Sequence, residues 1–209
     1  MAFFPFFINL TGQEGLIAGG GVVALRKIEK LLPYGAKLTV CAPEFHPEIL
    51  AIPGLTLYRG AFEPSMIAGK KFVIAATDDR ELNRAISELC QAKNILVNVV
   101  DDRELCGFVF PALVKQGELS IGVSTGGASP VAAAYLKKQI AQAIPDNFDA
   151  ILTCLNDLRA PVKTAVQSEK QRAEFFAAAF AACMAAGGPL SKEAAAEMLK
   201  KITGDEAAL

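Results

Sequence analysis

The chain contains no tryptophan and only one histidine, His46. A lone histidine excludes a His-based metal centre or a His-centred nucleophilic triad assembled within one chain. His46 stands in EFHPE, after a strand-like run, and reads as a surface loop residue. No CxxC pair occurs, and the five cysteines, Cys41, Cys90, Cys106, Cys154 and Cys183, are widely spaced. That excludes a disulfide framework or a zinc site and points to a reducing compartment. Excess basic charge is also lacking: 21 Lys and Arg stand against 22 Asp and Glu, so no global positive field recruits nucleic acid. The opening MAFFPFFINL is apolar but has no basic leader region and is broken by Pro5, which argues against a secretory signal. The longest apolar run, FFAAAFAACMAA at 175–186, falls short of the roughly 20 residues that cross a bilayer. These absences together predict a cytoplasmic protein without membrane or nucleic-acid partners.

What is present is ample core material. Of 209 residues, 52% are apolar and 21% charged, enough for one large domain or two small ones. The first hundred residues alternate two patterns. GLIAGG (15–20), KLTVCA (37–42), LTLYRG (55–60), FVIAAT (72–77) and ILVNVV (95–100) are apolar runs of strand length. Helical patterns at 22–35 and 79–94 lie between them. Strands alternating with helices predict a parallel sheet covered on both faces, and the continuous apolarity of the runs agrees. After Asp102 the pattern changes. FVFPALV (108–114) and LSIGVST (119–125) predict a hairpin turning at Lys115, Gln116 and Gly117. A helix follows from about Pro130 to Ala143. The remainder is Ala-rich and helical, broken at Gly187, Gly188 and Pro189, with a last helix capped by Ser191. The predicted fold class is α/β: a Rossmann-type parallel sheet domain, a hairpin-plus-helix region and a small all-α domain.

Four stretches carry candidate chemistry. In GLIAGGGVVALRK, Gly19, Gly21 and Ala24 fit the GxGxxG/A fingerprint between a strand and a helix. Gly19 permits the tight turn, Gly21 lets the backbone approach a pyrophosphate, and Ala24 lets the helix pack close. The bland alternative is a glycine-rich turn without a ligand. The acid that holds the adenosine ribose is displaced: the second strand ends Val40, Cys41, Ala42, Pro43, Glu44, so Glu44 falls two or three positions late. No arginine follows immediately for a 2′-phosphate, which favours NAD over NADP. In AATDDRELNR, Thr77 and Asp78 fall where the sheet's ligand-binding edge is expected, and Asp79 equally suits a helix cap. In NVVDD, Asp101 and Asp102 close the fifth strand. Alternating side chains make them poor partners in a carboxylate dyad. Either acid could face the crevice, and both could be solvated turn residues. In STGGASP, Ser124, Thr125 and Gly126 precede a helix whose cap is Ser129. This is a capped helix start or an anion site.

These motifs, in this order, resemble the dehydrogenase and ferrochelatase module of siroheme synthases, the precorrin-2 dehydrogenase family. The resemblance rests on FFPFFINLTGQEGLIAGGGVVALRKIEKLLPYGAKLTVCAPE, FVIAATDDRELN, VNVVDD and FVFPALVKQGELSIGVSTGGASPVAA. It is close to about residue 145, looser beyond, and includes no methyltransferase module. It implies NAD-dependent oxidation of precorrin-2 to sirohydrochlorin, Fe²⁺ insertion in many members, and a homodimer. It assigns 1–112 to NAD binding, 113–145 to dimerisation and 146–209 to a helical domain. By position it makes Asp101 the essential carboxylate, a general base that would also assist metal insertion. It places the cofactor at Gly19, Gly21, Val22, Val23, Pro43, Glu44, Thr77 and Asp78, and the tetrapyrrole beside Ser124, Thr125 and Gly126. No protein metal ligands are implied, because the macrocycle supplies its own nitrogens. Val22 departs from relatives, where this position is often acidic or polar. A substrate rich in carboxylates needs cations, for which Arg80, Arg84, Arg103, Lys115, Lys137 and Lys138 are candidates. Two alternatives stand beside the enzyme: an NAD-sensing regulatory module, and a dehydrogenase of another small substrate.

Overall fold

The computed structural model describes residues 3–203, so the ends of the expected 1–112 and 146–209 segments lie outside the described residues. The chain divides into two compact units, with the boundary between Phe110 and Pro111.

The first unit is a five-stranded parallel sheet in the order β3-β2-β1-β4-β5. Its strands are β1 (Glu14–Ala18), β2 (Lys37–Ala42), β3 (Thr56–Arg59), β4 (Phe72–Ala75) and β5 (Leu96–Val99). Side chains alternate between faces, so neighbours in one strand enter different cores. Leu16, Val73 and Val97 pack with Ile86 and Cys90 of α3 (Arg80–Ala92). Ile17, Val40 and Ile74 pack with Ala24, Leu25 and Ile28 of α1 (Val22–Leu31). Each fully buried Leu, Ile or Val contributes about 1.5–3 kcal/mol of transfer free energy. Burial on both faces is why these strands read as unbroken apolar runs.

Several boundaries differ from expectation for local reasons. The first strand ends at Ala18, because Gly19 leaves the sheet with φ +125°. The predicted 22–35 helix stops at Leu31. Pro33 enters a 3₁₀ turn over Leu32–Tyr34, which closes on Gly35 at φ +69°. A short helix, α2 (Pro47–Ala51), occupies what reads in sequence as loop, and His46 is its N-cap. All four residues of β3 are exposed at one edge of the sheet, whereas β5 at the other edge is covered by the returning chain, with Gly107 N–H donating to the Val97 carbonyl at 2.8 Å.

The second unit begins with an antiparallel hairpin, β6 (Ala112–Gln116) and β7 (Leu119–Val123). Its first strand starts four residues later than 108, and the turn is Gly117–Glu118 rather than Lys115–Gly117, with Gln116 paired to Leu119. Gly117 takes φ +51°, which suits glycine at a tight turn. Next comes α4 (Pro130–Ala143), which packs on β6 and matches its expected span. Helices α5 (Phe148–Asp157), α6 (Arg159–Ala165), α7 (Glu169–Ala186) and α8 (Lys192–Thr203) complete the unit. Val162, Val166, Phe175, Ala179 and Leu199 form a core of their own. Ser129, Ser168 and Ser191 accept backbone N–H bonds at the starts of α4, α7 and α8. Among the described residues no helix is long and apolar enough to cross a membrane.

Candidate functional site

Parallel registry brings the carboxyl ends of all five strands to one edge. Ala18 pairs with Cys41 and Ala75, Ala42 with Arg59, and Ala75 with Val99. The segments that follow, Gly19–Gly21, Pro43–Glu44, Thr77–Asp78 and Val100–Asp102, therefore lie along that edge. The strand order reverses between β1 and β4, where open α/β sheets bind their ligands.

The three glycines act differently. A Cβ on Gly19 would stand 2.2 Å from the Ala76 carbonyl oxygen, and one on Gly20 would stand 2.1 Å from the Glu44 carbonyl oxygen. A Cβ on Gly21 would meet nothing within 4 Å. Gly21 is thus not required by packing; it keeps open the space before α1. That helix starts at Gly21 with no side-chain cap and no acid in its first turn. Its first N–H groups and dipole are left to an outside acceptor, the requirement of a pyrophosphate. The residues present fit a dinucleotide. Val22 and Val23, 47% and 39% exposed, border the same opening.

Pro43 and Glu44 are exposed at the end of β2, and His46 N–H donates to the Gly20 carbonyl at 2.7 Å, tying this loop to the glycine turn. Sequence reasoning missed Arg59. Pairing of β3 with β2 sets it beside this loop, with Nη1 3.5 Å from the Pro43 carbonyl and the guanidinium over the Phe45 ring at 5.5 Å. Sixteen residues separate it from Pro43, so only sheet order reveals the placement.

Asp79 caps α3: its Oδ1 accepts from the N–H groups of Glu81 at 2.9 Å and Leu82 at 3.0 Å. Thr77 is held by a second residue that sequence reasoning missed, the buried Asn83. Its Oδ1 accepts from Thr77 Oγ1 at 2.8 Å and from Thr77 N–H at 3.2 Å, while Nδ2 donates to the Thr77 carbonyl at 2.8 Å. A polar residue on the otherwise apolar face of a helix was the available signal. Asp78 is exposed beside them.

The two acids after β5 separate cleanly. Asp102 Oδ1 accepts from Glu104 N–H at 3.1 Å and Leu105 N–H at 3.4 Å, an Asx-turn. Asp101 is exposed and has φ +60°, one of two non-glycine residues in the left-handed region among those described. A side chain there costs about 1–2 kcal/mol, less for Asp and Asn. Both acids line a pocket of about 410 Å³ with Arg80, Arg84, Asn83 and Val100. Lys27 of α1 is a further neighbour. Its amine lies 4.0 Å from the centroid of the Phe110 ring. Burial lowers its pKa and Lys30 acts the same way, while Cys106 and Asp101 oppose them.

Ser124, Thr125 and Gly126 belong to the second unit. Ser124 Oγ accepts from Gly126 N–H at 3.2 Å. Thr125 Oγ1 accepts from Ser129 N–H at 3.1 Å and donates to the Ser129 carbonyl at 3.0 Å. These bonds shape the loop before α4. Of the cations considered, Arg80 and Arg84 share the pocket of Asp101.

Residues 6–112 match the family model described as putative NAD(P)-binding, and residues 116–143 match the one described as sirohaem biosynthesis protein central. The chain is 40% identical over 180 residues to the siroheme synthase of Thioalkalivibrio sulfidiphilus, spanning 84% of this chain and 37% of that one. It is 38% identical over 207 residues to the siroheme synthase of Chromobacterium violaceum, spanning 97% of this chain and 44% of that one. The chain thus covers less than half the length of these relatives. Among solved structures, "SirC, precorrin-2 dehydrogenase" superposes with a TM-score of 0.71 over 97% of this chain and 100% of that one, at 24% identity. It shares the order of parallel sheet, hairpin and helical region.

Proposed function

The chain belongs to the putative NAD(P)-binding family and is related to the siroheme synthases, and from this we propose that it is a precorrin-2 dehydrogenase. NAD⁺, when bound, supplies the hydride acceptor that converts precorrin-2 to sirohydrochlorin. The free N–H groups of Val22 and Val23 would hold its pyrophosphate, and Gly21 leaves room for that approach. Pro43 and Glu44 would meet the adenosine, with Thr77 and Asp78 further along the edge. Asp101 would accept the proton lost from the tetrapyrrole. Ser124, Thr125 and Gly126 would border the macrocycle, from the region 113–145 that we assign to dimerisation, and 146–209 would form the helical domain.

One observation carries this reading. Asp101 is an exposed carboxylate in a disfavoured backbone conformation, at the sheet edge where the glycine turn also opens. Backbone strain of this kind is retained where the surroundings enforce it, as at catalytic positions. The test is turnover of precorrin-2 with NAD⁺, followed as sirohydrochlorin formation. Asp101→Ala should lose roughly a hundredfold or more in kcat, the range for a general base, with NAD⁺ affinity nearly unchanged. Undiminished turnover by this variant would remove Asp101 from the mechanism. Absence of turnover in the wild type, with NAD⁺ still bound, would favour the sensor.

Metal insertion is the second activity we propose for this site. It needs few protein ligands, because the macrocycle contributes four nitrogens, and Asp101 would then help remove the pyrrole protons. Sirohydrochlorin and Co²⁺ or Fe²⁺ without NAD⁺ should give metallated product above the spontaneous rate; a rate equal to the spontaneous one refutes it.

A further inference from the structure

The Asp101 turn is braced by a buried thiol. Cys106 Sγ lies 3.2 Å from the Val99 carbonyl oxygen and 3.2 Å from the Asp102 carbonyl oxygen. The same sulfur accepts from Val99 N–H at 3.2 Å and from Asn98 Nδ2 at 3.4 Å. It therefore touches the chain on both sides of Val100 and Asp101. Asn98 Nδ2 also donates to the Phe108 carbonyl at 3.0 Å, which fixes the segment that returns from the turn. On the strand side, Val100 N–H donates to the Ala75 carbonyl at 2.9 Å. Asp101 itself makes none of these bonds; its neighbours hold it.

From this geometry we infer that Cys106, seated by Asn98, is a positioning residue that holds Asp101 in its left-handed conformation. The role rests on the reading of Asp101 as the working carboxylate, but the bracing itself does not. A thiol suits the place for two reasons. Sulfur is large enough to reach two carbonyl oxygens and an N–H from one point. It also donates weakly, so its single proton can serve either oxygen without distorting the other. Burial raises its pKa, which keeps that proton in place. Without the sulfur, the Val99 and Asp102 carbonyls lose their shared partner. Asp101 is then free to relax to negative φ, which redirects its carboxylate. A displacement of about 1 Å at a catalytic group is enough to cost on the order of a hundredfold in rate.

The test uses Cys106→Ala and Cys106→Ser in the full chain, with the Asp101 backbone read from crystal structures. NAD⁺ binding and steady-state oxidation of precorrin-2 are measured beside them. Cys106→Ala should lose the positive φ at Asp101 and roughly tenfold or more in kcat, with NAD⁺ affinity within about twofold. Cys106→Ser keeps a donor and should recover most of both. Asp101 still at positive φ in Cys106→Ala overturns the bracing role, whatever the activity. Wild-type kcat in an active Cys106→Ala enzyme overturns the positioning role. If wild-type protein does not oxidise precorrin-2, the proposed function fails, and the backbone of the variant still decides the bracing.

Discussion

At Gly20 a Cβ would stand 2.1 Å from the Glu44 carbonyl oxygen, while at Gly21 it would meet nothing within 4 Å. The contrast separates a packing requirement from a ligand requirement inside one motif. Gly20→Ala must push the β2 loop away from the glycine turn, and should cost about 1–3 kcal/mol, the range for overpacking. Gly21→Ala takes ordinary dihedrals and meets no neighbour, but Ala caps a helix less well than Gly, so its melting temperature should fall only slightly. Its methyl group enters the space before α1, and NAD⁺ affinity should fall by roughly tenfold, about 1.4 kcal/mol. Thermal unfolding and NAD⁺ titration check the pair; equal NAD⁺ affinity in Gly21→Ala and wild type would argue against pyrophosphate binding there. The fingerprint reading gave Gly19 and Gly21 their roles from spacing, but Gly20 was invisible to it. Its contact is with Glu44, and proximity across a parallel sheet leaves no local trace. Asp101 and Asp102 were legible as acids closing an apolar run, but strand alternation does not part them: β5 ends at Val99, and both acids lie in the turn beyond it and line one pocket. The left-handed backbone at Asp101 was not legible, since Asp occupies many conformations.

Elements were legible where a local signal marks their ends. β2 and α4 have the spans expected of them, since unbroken apolar character or a proline at the first helical turn marks their limits. α2 escaped because five residues are too few to display a helical period. The early start expected for the hairpin arose from FVFP, whose aromatic residues pack against the sheet's core without joining a ladder. Sheet order, which no local signal fixes, has the largest consequence here. By pairing β3 with β2 it sets Arg59 beside Pro43, at the adenosine end of the proposed cofactor site. An arginine there can accommodate a 2′-phosphate. We expect NAD⁺ to be preferred, with NADP⁺ used measurably and through Arg59. Arg59→Glu should lower kcat/KM for NADP⁺ by roughly tenfold or more, the worth of a charge-assisted hydrogen bond, and leave NAD⁺ within about twofold. Equal losses for the two cofactors would mean that Arg59 only supports the loop.

For the molecule as a whole, α4 raises a question of association. Its Ala133 is buried, whereas Val131, Tyr135 and Leu136 are 79%, 62% and 45% exposed. Residues four apart share a helix face, so Val131 and Tyr135 form an apolar strip turned to solvent, with Leu136 about 100° round the helix from Tyr135. The helical core of the same unit shows the opposite outcome: Phe175, Ala179 and Cys183, also spaced by four, are all buried. A spacing of four thus leads to burial in α7 and, for Val131 and Tyr135, to exposure in α4. The sequence pattern cannot distinguish them, because the difference lies in what covers each face. Tyrosine among aliphatic residues is typical of association surfaces, and the family resemblance implies a homodimer. We therefore expect the purified chain to run at twice its own mass in light scattering. Tyr135→Glu would place a charge on this face, where desolvation without a partner is costly, and should shift the protein toward monomer. Tyr135 is exposed and takes no part in the α4 caps, so circular dichroism should be unchanged. A wild-type monomer at micromolar concentration would refute the dimer. A Tyr135→Glu protein that stays dimeric would place the interface elsewhere on the chain.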